Sequence, residues 1–219
     1  MALLVTPKSP ALPLANSQYE VAYQNRYSSV LRLYFNQLDT VHAGVLGPLG
    51  MQYLDAPHIA AVDTVSQYAP ANDTSTIVVW NTATYIKGFT LNLDNTATVG
   101  VSGVYLINYN LNLANTANTA HDAFTWLQVN GDQLANSARR FTLQARKSTG
   151  VFTYMSAHAT VMFNASAGDI LGLRWATDVA FIPAVQDGVY MEALVAETTP
   201  YARPATPSAS GVITFLGRG

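Results

Sequence analysis

His42, His58, His121 and His158 are the side chains of this chain best suited to general-base or metal chemistry, and their spacing supports neither. No H-x-H, H-x-x-x-H or H-E-x-x-H pattern occurs to bring two imidazoles onto one face of an element. His121-Asp122 sets a base beside a carboxylate, as a triad would require. Adjacent strand residues point to opposite faces, however, and Asn118-Thr119-Ala120 reads as a loop, so solvation is the expected role. Glycoside hydrolysis needs two carboxylates converging on one bond. Of the three glutamates, Glu192 and Glu197 lie five positions apart, an odd separation that sends them to opposite faces of a strand. Asp169 and Asp187 sit in turn sequences, where aspartate favours its own backbone. Asp94 and Asn95 offer loop oxygens of the kind calcium takes, as an isolated pair. With no cysteine, and no G-x-S-x-G, P-loop or dinucleotide fingerprint, the expectation is a protein without catalytic residues, metal or cofactor.

Binding chemistry remains. Exposed Tyr and Trp rings stack on sugars and Asn amides hydrogen-bond their hydroxyls, although residue type does not separate exposed rings from buried ones. A nucleic-acid footprint is not expected at a net charge of −2. The basic residues Arg139, Arg140, Arg146 and Lys147 flank Phe141-Thr142-Leu143 and read as the charged edge of a strand. Charged residues make up 11% of the chain against about 25% in ordinary globular domains, while apolar residues reach 49%. A surface so poor in charge suits a permanent assembly or an extracellular binding domain.

The elements that would position such a surface change rhythm along the 219 residues. Residues 1–16 carry Pro7, Pro10 and Pro13 on one face of a three-fold polyproline helix, and read as an extended anchoring arm or as a plain leader. Met1-Ala2-Leu3-Leu4-Val5 lacks the basic start of a signal peptide. Residues 17–46 are predicted as an amphipathic helix, opened by the capping box Ser17-Gln18-Tyr19-Glu20 and stopped at Gly44, Gly47 and Pro48. Within it Tyr27, Leu31, Tyr34, Leu38, Val41 and Val45 recur at spacings of 4, 3, 4, 3 and 4, the seam of a coiled coil. A second row with Tyr23 and Val30 widens the stripe, which fits three helices about an axis or one helix lying on its own domain. Residues 47–73 form a linker with one apolar patch, Ile59 to Val65. From 74 to 197 the period is two: Tyr105, Ile107, Tyr109, Leu111 and Leu113 alternate with Asn108, Asn110 and Asn112, and Asn130-Gly131 closes a hairpin. Two late strands are expected at Val179–Val185 and Val189–Val195. Residues 198–219 form a tail with Pro200, Pro204 and Pro207 and a terminal strand, Val212 to Leu216, that pairs either at home or with a neighbour. No apolar run approaches the roughly 20 residues of a membrane helix, so no membrane insertion is expected.

Gly103-Val104-Tyr105-Leu106-Ile107, the hairpin Trp126 to Gly131, and Ala167-Gly168-Asp169-Ile170-Leu171-Gly172-Leu173 together resemble the C1q/tumour-necrosis-factor jelly roll over residues 74–197. The resemblance implies a mainly β antiparallel jelly-roll sandwich that forms trimers, with inner-sheet aromatics along the axis. Tyr105, Tyr109, Trp126 and Tyr190 are candidates for axis or core. The chain departs from the C1q pattern in having a helix where that family carries a collagen-like stalk. Pro10 to Ala15, Val30 to Leu38 and Arg203 to Ser208 resemble phrases of structural proteins from tailed phages of marine bacteria. That resemblance implies a virion component, assembled in the host cytoplasm, as capsid decoration, head fibre or tail fibre.

The expected function is a non-enzymatic homotrimer anchored to other virion proteins, of capsid or tail, by its arm and helix. The alternatives are a tail-fibre or adaptor protein whose jelly roll binds a host surface glycan, and a soluble C1q-like binding module.

Overall fold

The computed structural model describes residues 10–12, 20–46, 56–197 and 202–217, and of 43–46 the backbone alone. The chain divides into two units, 1–55 and 56–219. Pro7, Pro13 and Ser17 lie outside the described residues, as do the helix stops Gly47 and Pro48, and of the arm only 10–12 is described.

In the first unit, α1 spans Val21–Leu46. Its first turn holds no acid and its last turn no base, so neither end is tuned to the helix dipole. The apolar row is legible in its exposure. Tyr23, Tyr27, Val30, Leu31, Tyr34, Leu38 and Val41 are half-buried while the residues between them are exposed. The Tyr23 and Tyr27 rings stack at 6.3 Å, the contact expected of an i, i+4 pair. Leu33 and Phe35 lie off the stripe and are exposed.

Among its described residues the second unit holds fourteen strands. They are β1 (His58–Asp63), β2 (Gln67–Tyr68), β3 (Thr76–Ile77), β4 (Thr82–Lys87), β5 (Phe89–Leu91), β6 (Ala97–Val99) and β7 (Gly103–Asn115). There follow β8 (His121–Val129), β9 (Asp132–Gln133), β10 (Arg139–Leu143), β11 (Thr153–Ala165), β12 (Ile170–Thr177), β13 (Val189–Met191) and β14 (Ala209–Gly217). One antiparallel sheet runs β11-β7-β14-β1-β4, with β13 and β2 continuing from the free end of β7. The other runs β10-β8-β12-β6-β5. Two four-strand cores, β11-β7-β14-β1 and β10-β8-β12-β6, with the last strand inserted between the first and a central one, form a jelly roll.

The period-two pattern explains β7. Its burial alternates so that Tyr105, Ile107, Tyr109, Leu111 and Leu113 enter the core and the asparagines stay outside. They pack against Leu127, Leu173 and the fully buried Trp175 of the facing sheet. The Tyr109 hydroxyl meets Thr125 Oγ1 at 2.6 Å, so a polar tip inside the core is satisfied. Asn115, fully buried at the end of β7, donates to Thr119 O and Gln144 O, both at 2.9 Å, and accepts from Ala117 N. One amide thereby ties two loops to the sheet. Asn130 and Gly131 take φ of 52° and 93°, as the hairpin after β8 requires.

The domain boundaries differ from the sequence reading. The sandwich begins at 56, because the expected linker holds β1, paired between β14 and β4. The expected tail holds β14, which folds back at home between β1 and β7. Val179–Val185 is a turn-rich loop closed by an Ile182–Asp187 bridge, and Val189–Val195 is a strand only over Val189–Met191, followed by an isolated Leu194–Thr206 bridge. The apolar residues that suggested a strand at 179–185 split between the core (Ala180) and the surface (Ile182 and Val185).

Candidate assembly face

β1, β7, β11 and β14 contain one charged residue among them, Asp63, which points inward and is 1% exposed. Their outward side chains form continuous rungs. His158, Asn110, Ser210 and Val62 stand side by side across the four strands. Thr160, Asn108, Val212 and Ala60 form the next rung, and Met162, Leu106, Thr214 and His58 the third. Thr160 donates its hydroxyl to Asn108 Oδ1 and Ser156 to Asn110 Oδ1, which fixes the amide orientation. Small residues on β1 and β14 make a shallow trough of about 270 Å³, floored by Ala60, Val62, Ser210 and Val212 and walled by His158.

The edge beside this face is unusual. Among the described residues β11 pairs with β7 alone, over thirteen residues, and it carries no Lys, Arg, Asp, Glu or Pro. Exposed edges invite pairing with another chain and are ordinarily blunted by charge, proline or bulges. The contrast within the molecule is direct. β10, at the edge of the other sheet, carries exposed Arg139 and Arg140, with Arg140 paired to Asp122 at 2.5 Å. The Arg140 guanidinium and the Thr142 hydroxyl hold the Asp122 carboxyl below the usual carboxylate range. On β11, Tyr154 (58%) and Met162 (66%) project from the outward side.

Tyr105 and Tyr109 are core residues, 0% and 3% exposed, and line no outer surface. Trp126 is half-buried on the outward side of the other sheet, beside Arg174. Tyr190 alone of the four lies on the outward side of the sheet that holds β7, paired with Ala114 and stacked on Tyr68 at 5.3 Å. Of the helix residues, Tyr27, Leu31, Tyr34, Leu38 and Val41 share one half-buried stripe, while the Val45 side chain lies outside the described residues. Of the face strands, β1 escaped the sequence reading and β14 was expected only over Val212 to Leu216, since Ala60, Ala61, Ser210 and Gly211 give too little contrast for a period to register.

His121 takes Asp178 as its partner, not Asp122: its Nδ1 lies 3.2 Å from Asp178 Oδ2 and its Nε2 2.9 Å from Thr119 Oγ1. Asp178 Oδ1 also accepts Asp122 N at 3.0 Å. The network pins the start of β8 to the end of β12. Among the described residues no cluster of three metal-ligating side chains occurs, and no helix is long and apolar enough to cross a membrane.

No family model matches the chain, and no curated protein matches its sequence. Among solved structures, the globular domain of zebrafish complement 1qA protein is similar to it, with 10% identity over 74% of this chain and 99% of that one, at a TM-score of 0.43.

Proposed function

We propose that the chain is a non-enzymatic structural subunit that assembles as a homotrimer through the outward side of β11, β7, β14 and β1. The observation that carries this reading is the thirteen-residue edge strand without a charge, beside a four-strand face equally free of outward charge. At about 4.8 Å between strands and 3.4 Å per residue, these four strands of six to thirteen residues present on the order of 600 Å² before side-chain relief. That is comparable with the roughly 800 Å² per partner of a stable interface. The bulky row of β11 (Tyr154 and Met162) complements the trough over β1 and β14, so that each copy places its edge on the next. A head-to-tail contact of this kind closes into a ring, and three copies match the trimers implied by the family resemblance.

The sequence phrases that resemble those of marine tailed-phage proteins support a virion setting, as capsid decoration or head fibre. In this reading the arm with Pro7, Pro10 and Pro13 contacts other virion proteins, and the helical stripe of Tyr27, Leu31, Tyr34, Leu38, Val41 and Val45 seals the axis. Mass spectrometry of purified particles tests the placement. The chain is expected in the particles at a copy number set by capsid symmetry. Its absence from them removes the virion reading and leaves the assembly reading standing.

A further inference from the structure

His158 is the middle member of the outward row of β11, which runs Tyr154, Ser156, His158, Thr160 and Met162. Tyr154 and Met162, toward the two ends of that row, are the bulky residues offered to the trough of the next copy. A strand seated at both ends is seated at its middle as well. His158 also walls the trough of its own chain, on the rung of Asn110, Ser210 and Val62. A head-to-tail contact of row on trough therefore covers the imidazole twice, once as part of the row and once as part of the wall.

The surroundings hold nothing that would neutralise a positive ring. Asn110, its partner across β7, already accepts the Ser156 hydroxyl on Oδ1, and Thr160 donates to Asn108. Among the described residues no carboxylate lines the trough. The other titratable groups on this side are Tyr154 of β11, His58 of β1, and Tyr85 and Lys87 of β4. Lys87 is the cross-strand partner of His58, so the fixed charge at that end has the sign of an imidazolium. From the facing sheet β10 packs against β11 with Arg139 and Arg140, the latter paired to Asp122. Glu192, just past β13, is engaged by the Tyr190 hydroxyl at 2.8 Å and by that of Tyr154.

We propose that His158 makes the assembly acid-sensitive: neutral, it is covered as the chains come together; protonated, it drives them apart. The inference rests on the assembly reading and names how that contact is regulated. Histidine is the side chain whose ordinary change of charge falls between about pH 5 and 8. A neutral imidazole can be covered by a polar, uncharged surface, whereas an imidazolium covered without a carboxylate is a stranded charge. The single chain therefore takes up the proton more readily than the assembled one, and association strengthens as pH rises. With one His158 per chain, trimer formation weakens by up to about tenfold per chain for each unit of pH through the acid range. His58 is not placed for this role. It stands at the margin of the face beside Lys87, and its Nδ1 lies 2.8 Å from Ala56 O.

Light scattering on the full chain at about pH 7.5 and about pH 5 tests it, with near-ultraviolet circular dichroism following the fold. The wild type is expected as three chains at the higher pH and as single chains at the lower, with an unchanged spectrum. His158→Gln, which cannot charge, should remain three chains at both; His158→Arg, which is always charged, should be single at both. His58→Gln should respond as the wild type does. Three wild-type chains at both pH values would overturn the switch and leave the assembly reading standing. So would a His158→Gln that dissociates in acid, a His158→Arg that assembles, a His58→Gln that has lost the response, or a wild-type spectrum that collapses at the lower pH. Single wild-type chains at the higher pH would remove the assembly reading and this inference with it.

Discussion

Thr160 of β11 and Asn108 of β7 are direct cross-strand partners, the threonine hydroxyl donating to the amide oxygen on the outward side of the sheet. The threonine's donor is thereby satisfied within the sheet, so a second chain covering this rung need not supply an acceptor for it. Placing a charge on this rung is the sharpest probe of the assembly face. Thr160→Lys should reduce the protein to single chains by light scattering, because an unpaired ammonium in an interface costs several kcal/mol. Thr160 is exposed in the single chain, so the thermal midpoint of the variant's fold should change little. A variant that keeps the wild-type mass would place the interface elsewhere.

The helical stripe makes a separate contribution. Leu31→Asp with Leu38→Asp places two carboxylates on the half-buried row of α1. Sedimentation equilibrium should show association weakened by at least about tenfold, with the sandwich still folded. Unchanged association would mean that the stripe is not a seam between subunits.

Gly188 shows where backbone geometry dictates a residue. Its φ is +117°, and an added Cβ would lie 2.4 Å from Ala180 O. Gly188→Ala is expected to cost about 1–3 kcal/mol, read as a lower urea midpoint with an unchanged slope. Since Phe181 follows Ala180 directly, the ring contact with Tyr190 should loosen as well, visible as a change in near-ultraviolet circular dichroism.

Asp63 should make stability depend on pH in an unusual direction. Burial raises its carboxyl above the ordinary value, although Val65 N at 3.1 Å offsets part of the effect. The folded state then holds the proton more tightly than the unfolded one. Its contribution is full below the unfolded pKa of about 3.8 and is lost as pH rises through the folded value. Asp63→Asn should therefore gain stability relative to wild type on going from about pH 3 to pH 7, measured by urea unfolding at both. A gap that is flat, or that moves toward the wild type, would show that Asp63 ionises freely in the fold.

The sequence made β7 legible because large apolar residues alternate with asparagine over nine positions. It announced the hairpin through Asn130-Gly131. β1 was hidden because Ala60 and Ala61 carry no contrast between its faces, and only the pairing with β14 and β4 reveals it. The candidate aromatics divided for the same reason. A tyrosine on an alternating strand faces the core or the solvent according to which side the second sheet covers, and that depends on residues far away in the chain. Tyr105 and Tyr109 went inside, while Tyr190 joined Tyr68 and Phe181, a grouping built from three separate segments with no local signature.

Light scattering on the purified full chain tests the central claim most directly. Assembly through the uncharged face requires a particle of three times 23.5 kDa, and the segment 56–219, which contains that face entire, should also run as three chains. A full-length chain that remains at 23.5 kDa across the accessible concentration range would contradict it.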